Sequence, residues 1–244
     1  SGIWNDMVVE LKDVHLQIPL RIYSADKQLM AQYGVKRRIP VTLDKVPPML
    51  VKAILATEDS RYYEHPGVDL IGIARAGLAV LKSGRKVQGA STITMQVARN
   101  FFLTRKKTYS RKIKEILLAL KIDQNFSKDD VLALYLNKIY LGNRAYGVAA
   151  AAQVYYGETL DQLTLAQMAM LAGLPQAPSA NNPISNPTQA KKRRDHVLAR
   201  MYKEGVIDQS AYQTAVSAPL SARYHQKTID LKAPFVAEMV RQRL

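Results

Sequence analysis

Glu58 and Asp59 stand side by side in the stretch "ATEDSRYYEHPG", residues 56–67, with Arg61, Tyr62, Tyr63 and His65 close behind. Adjacent acids ordinarily splay apart and solvate, which is the plain reading of this pair. The stretch follows an apolar helical segment and precedes aromatic rings, however, and burial there would raise a carboxyl group toward the range of a working base. His65, ahead of Pro66 and Gly67, suits a turn brace. The chain has four histidines and no cysteine, and no metal-ligand spacing is evident, so a zinc site is not expected.

A second concentration of chemistry is cationic. Arg99, Arg105, Lys106, Lys107, Arg111, Lys112 and Lys114 follow one another with no acidic residue until Glu115. Guanidinium forks and mobile ammonium groups together match a pyrophosphate. Just upstream, "GASTITMQVARN" adds hydroxyl and amide donors in Ser91, Thr92, Thr94, Gln96 and Asn100. If Ser91 caps a helix there, the free amides of its first turn strengthen the same field. Simpler alternatives stand beside this one: Arg111 and Glu115 are i,i+4 neighbours on a helix and would form an ordinary surface ion pair, and Ser91 would be only a cap.

These residues need elements to hold them. Over 244 residues, 48% hydrophobic, the chain can bury a substantial core. Pro47 and Pro48 suit a first helical turn, and Met49, Leu50, Ala53, Ile54 and Leu55 share an apolar stripe that delivers Glu58 at the helix end. The segment "LIGIARAGLAVL", residues 70–81, is interrupted only by Arg75 and reads either as a buried helix or as a surface that touches lipid. Further helices follow: from Ser91 to about Phe102, through "TYSRKIKEILLALKID", after Ser127 with Gly142 placed to end it, after Thr164, and from Pro187 to Gly205. Residues 14–46 mix β-branched residues with turn signals, as short strands of a connecting arm would. The expected organisation is an arm over 1–46, a catalytic domain over 47–225, and over 226–244 the start of a linker to something further.

The net charge of +15 favours anionic partners: nucleic acid, an anionic membrane or a phosphorylated substrate. Without cysteine, disulfide and thiolate chemistry is excluded. No signal peptide, membrane-spanning run, Gly-rich phosphate loop or zinc finger is evident.

Taken in order, "EDSRYYEHPG", "GASTITMQ", "RKIKE" and "KDDVLALYLNKIYLG" closely resemble the motifs of the peptidoglycan glycosyltransferases, glycosyltransferase family 51. Downstream, "YGVAAAAQVYYGETLDQLTLAQMAMLAGLPQAPSANNP" is similar to the rest of that region, so the likeness covers roughly residues 40–205. The flanks "RIYSADKQLMAQYG", "KRRIPVTLDKVP" and "APFVAEMVRQRL" further resemble Gram-negative class A penicillin-binding proteins of the 1a type, which carry a membrane anchor before this domain and a transpeptidase after it.

The resemblance implies a mainly α, lysozyme-like domain of two lobes, head and jaw, preceded by a short β-containing arm. It implies a chain at the periplasmic face of the inner membrane, with lipid II and the growing lipid-linked glycan as substrates, cell-wall synthesis regulators as partners, and no nucleic acid. Glu58 then looks like the general base and Glu115 like the second catalytic carboxylate. Asp59, Ser91, Thr92, Gln96, Arg99, Asn100, Lys107, Arg111 and Lys114 fall where the family binds substrate. Many members use a divalent cation, Mg or Mn, though no ligand set for one is evident here and no other cofactor is expected. Ala90, Met95 and Ala133 depart from the commoner pattern; Met95 removes an amide expected beside the donor site. Two rival readings are a lysozyme-like lytic enzyme on the same fold and a noncatalytic basic module for nucleic acid or anionic lipid.

Overall fold

The computed structural model describes residues 37–84, 90–103 and 109–225. Most of the expected arm and all of the expected linker lie outside these residues, as does Lys107.

Short apolar stripes separated by caps and glycines produce a helical chain. In order, β1 (Arg37–Arg38) is followed by α1 (Pro48–Glu58), α2 (Leu70–Ser83), α3 (Ile93–Phe102), α4 (Tyr109–Asn125) and α5 (Lys128–Lys138). Then come β2 (Ala145–Tyr146), α6 (Val148–Tyr156), α7 (Leu165–Ala172), α8 (Pro187–Lys203) and α9 (Gln209–Ser217). The mostly helical architecture agrees with the reading from sequence, and the β content among the described residues is one two-residue parallel pairing of β1 with β2 and an isolated antiparallel bridge between Tyr140 and Tyr146.

The helix ends follow from their side chains. Pro48 opens α1 at its first position, where the missing N–H costs nothing. Ser127 accepts from the Asp130 amide at the start of α5, and Thr164 with Gln167 forms a reciprocal capping box on α7. Two boundaries differ from expectation. Thr92, not Ser91, caps α3 by accepting from the Met95 amide, which leaves the Ser91 hydroxyl for another partner. And α5 stops at Lys138, before Gly142; that glycine serves the following turn, at φ +83°, where a Cβ would meet the Tyr155 hydroxyl at 2.5 Å.

One large core gathers α1, α3, α5, α6, α7 and α8, with Leu50, Ile54, Leu132, Leu134, Tyr135, Tyr155 and Leu198 fully buried. A smaller cluster of Val68, Met95 and Ala119 joins α3 to α4. Met95 therefore packs inward, and the amide expected in its place would have had to enter this small core rather than a donor site. Against both clusters α2 stands apart, for none of its residues is buried, and Leu81 is 82% exposed. At its start the Asp69 carboxylate accepts from the Gly72 amide and pairs with Arg61.

At the edge of the core Arg37 joins the first and last described segments. Its amide donates to the Arg144 carbonyl, its guanidinium donates to the His225 carbonyl, and it lies over the Tyr224 ring. The last segment is itself tied to α6 by the Arg223 and His225 amides, which donate to the Tyr155 and Val154 carbonyls. Arg194, almost wholly buried, similarly donates to the Val216 and Ala218 carbonyls and seats the end of α9.

Replacing Leu50 by Ala should cost about 2–5 kcal/mol in urea unfolding, the usual loss for a filled core site. Leu81→Ala should stay within about 0.5 kcal/mol, and equal losses at both positions would contradict the division between core and α2.

Candidate active site

Glu58 is the last residue of α1 and Asp59 its cap, and the backbone turns so sharply there that the two carboxylates part company. Asp59 points inward. Both its oxygens lie 2.8 Å from His65 Nε2, and one also accepts from the Ile93 amide at 3.0 Å. The Nδ1 of His65 accepts from the Gly67 amide, so the proton sits on Nε2 and is donated to Asp59. Thr92 completes the joint by donating to the Gly67 carbonyl. The end of α1 and the start of α3 are thus pinned to each other, with His65 bracing the turn as expected.

Glu58 faces the other way, its side chain 12% exposed. Gln96 of α3 donates to Oε2 at 3.2 Å, while Oε1 is buried, has no hydrogen-bond partner, and sits 3.6 Å from a guanidinium nitrogen of Arg193. Burial pushes the Glu58 carboxyl above the ordinary carboxylate range. Arg193, the Gln96 bond and Arg99 pull it back, and Asp59 adds a small push upward. Its shelter comes from α3, α5 and α8. Tyr62 and Tyr63 use their hydroxyls elsewhere, on the Lys128 carbonyl and the Asp129 carboxylate.

The second carboxylate, Glu115, is buried on α4. The i,i+4 pairing with Arg111 expected from spacing gives way to other partners: Oε1 takes the Lys112 ammonium at 2.8 Å, with Arg99 3.9 Å away. Lys112 also donates to the Ser91 hydroxyl, the partner left open when Thr92 took over the cap. The remaining oxygen of Glu115 is buried and unbonded.

Helix α3 therefore carries Gln96 to Glu58 and, one turn later, Arg99 to Glu115. The structure brings together Glu58, Gln96, Arg99, Glu115 and Ser91 of the residues anticipated. Thr92 and Asp59 belong to the frame behind them. Arg111 is partly buried, whereas Asn100 and Lys114 are exposed. Lys112 was named within the cationic stretch but not singled out, its helical phase with Glu115 being the only clue, and one participant was missed. Arg193 lies 135 positions from Glu58 in a run of four basic residues, and nothing in the sequence distinguishes it from its neighbours. Among the described residues no group of three or more His, Cys, Asp or Glu is arranged to hold a metal.

The family profile named Transglycosylase matches residues 26–202, most of the chain. The chain belongs to that family, and with it to the peptidoglycan glycosyltransferases. Among relatives it is 59% identical over 237 residues to Penicillin-binding protein 1A of Escherichia coli K12, and 53% identical over 234 residues to that of Pseudomonas aeruginosa. These alignments take in 97% and 96% of the chain but 28% of each relative's length. The crystal structure of Penicillin-binding protein 1A from Haemophilus influenzae superposes with a TM-score of 0.52 at 34% identity, covering 93% of this chain and 24% of that one.

Asp59→Ala would strand the Nε2 proton of His65 and the Ile93 amide in the interior. A loss of about 2–5 kcal/mol is expected in thermal or urea unfolding. A change under about 0.5 kcal/mol would show that the joint between α1 and α3 does not depend on this carboxylate.

Proposed function

We propose that the chain polymerises lipid II into β-1,4-linked glycan with release of undecaprenyl pyrophosphate. Glu58 removes the proton from the acceptor sugar hydroxyl as that oxygen attacks the anomeric carbon of the donor. The bond from that carbon to the pyrophosphate breaks, and the leaving group departs with the electron pair. Attack opposite the leaving group inverts the α-linked donor to a β link. The observation that carries this reading is Glu58 Oε1: a sheltered carboxylate oxygen with every lone pair open, in a wall whose other charges are mostly cationic.

A departing pyrophosphate needs neutralising charge more than a proton donor. Arg99, Arg111 and Lys112 suit that task, with Lys107 and Lys114 added by family resemblance. Glu115 serves to fix Arg99 and Lys112 beside the donor. A lytic enzyme requires a proton donor at the departing sugar oxygen, and a cationic wall opposes holding one. A divalent cation, when bound, would neutralise charge on the departing pyrophosphate.

The exposed apolar residues of α2, among them Leu70, Ile71, Leu78 and Leu81, suit contact with the bilayer that holds the lipid tails. Ile113 and Leu117 of α4 are exposed as well. None of the described helices is long and apolar enough to cross a membrane. The proposed location is the periplasmic face of the inner membrane, with cell-wall regulators acting on the longer protein.

Incubation with labelled lipid II tests the reading. The wild type should yield long glycan, and Glu58→Gln should lose at least about 100-fold of that rate. Its thermal midpoint at pH 8 should not fall. Burial raises the folded-state carboxyl above its unfolded value, so this group's contribution to stability is present at low pH and lost as pH rises through the folded titration. Removing the charge at pH 8 therefore takes away a penalty. Elongation by Glu58→Gln near the wild-type rate, or degradation of preformed glycan without polymer, would refute the proposal. Arg111→Ala should raise KM for lipid II and weaken binding of moenomycin-type phosphoglycolipids, and an unchanged KM would remove it from the donor site.

A further inference from the structure

Helix α7 ends at Gly173, whose carbonyl, like those of any helix end, needs a donor. Two side chains supply it. Arg193 donates its Nε at 3.2 Å, and the buried Asn181 donates its Nδ2 at 3.2 Å, itself accepting from Gln189. The stem of Arg193 runs close over Gly173: a Cβ at that glycine would lie 2.9 Å from Arg193 Cγ. The backbone of Gly173 has φ −80°, which any residue can adopt, so its conformation does not call for glycine. The absence of a side chain there instead keeps open the path by which Arg193 reaches Glu58.

One end of the guanidinium is thereby committed to the α7 carbonyl while the other, Nη2, stops 3.6 Å from Glu58 Oε1. At that separation it contributes charge without using a lone pair of the oxygen. A closer, hydrogen-bonded arginine would compete for the electron pair that must accept a proton. Farther along the same face of α8, Arg200 donates to the Ala56 carbonyl, which ties α8 to α1 two residues ahead of Glu58.

We propose that Arg193, routed over Gly173 and anchored on its carbonyl, is a positioning residue that favours the charged form of Glu58 while leaving Oε1 free to accept a proton. The proposal rests on the reading of Glu58 as base. Among the described residues, the charged and titratable groups that face Glu58 are Asp59 at its own helix end, Arg99 on α3, Tyr135 on α5 and Arg193 on α8. Among the influences that hold the carboxyl down against burial, Arg193 is the largest, and Glu58 in turn holds the Arg193 guanidinium up against its own burial.

The test follows Glu58 directly and through the rate. The carboxyl carbon of Glu58, assigned by its loss in Glu58→Gln, is titrated by NMR in the whole chain, and kcat/KM for lipid II is measured against pH. In Arg193→Gln both the Glu58 midpoint and the acid limb of the rate should move to higher pH, and the rate loss should be roughly 10-fold greater at pH 6 than at pH 9. Arg193→Lys should restore most of it. Gly173→Ala leaves the arginine in the sequence but obstructs its stem, and should shift both readouts in the same direction. Lys191→Gln, on an exposed part of α8, should shift neither.

An unmoved Glu58 midpoint in Arg193→Gln overturns the proposal even if the wild type polymerises lipid II. A moved midpoint in a protein that makes no polymer upholds the pairing while refuting the proposed reaction. Should Arg193→Gln not fold, Gly173→Ala and Arg193→Lys carry the same comparison, and identical pH profiles in both would overturn it.

Discussion

Everything at the site depends on where the oxygens of Asp59 go. A carboxylate buried in protein must find donors, and Asp59 finds them in His65 and in the first amide of α3. That bond fastens the end of one helix to the beginning of another. Because Glu58 precedes Asp59 directly, the same fastening sets the distance from Glu58 to Gln96, and Arg99 follows one turn farther along α3. A single buried anion thus determines the relation between its neighbour and a second carboxylate on a different helix.

The two adjacent acids illustrate how environment divides roles between identical chemistry. Asp59 is buried, with both of its oxygens engaged by His65 and one also by the Ile93 amide. Glu58 keeps one oxygen unbonded and is surrounded by positive charge held slightly too far away to saturate it. Glu115 is a third case, a buried carboxylate whose Lys112 partner is still 44% exposed and reaches outward to Ser91. Such a carboxylate orients cations that would otherwise scatter, at the cost of part of their charge.

Much of the helical order was legible, because apolar stripes and caps are local signals. Thr164, Ser127 and Pro187 began helices where their chemistry said they would, and Glu58 arrived at the end of α1. The failures were of two physical kinds. At Ser91 and Thr92 two hydroxyls competed for one cap, and Thr92 took it while Ser91 turned to Lys112 of α4. At Gly142 a glycine placed near a helix end belonged to a turn shaped by Tyr155. The division of α2 from the core was undecidable from its composition, since an apolar helix is equally consistent with burial and with lipid. For the site, the carboxylates and the cationic stretch stood out as residue types, while Arg193 could emerge only when α8 folded back over α1.

Arg37 has a mechanical consequence. It grips both the Arg144 carbonyl, just ahead of β2, and the carbonyl of His225, so residues 37 and 225, far apart in sequence, are held close together. Any pull between the polypeptide ahead of Arg37 and that beyond His225 is carried by this short bridge and the neighbouring end of α6. The load path does not cross the gap between α1 and α3.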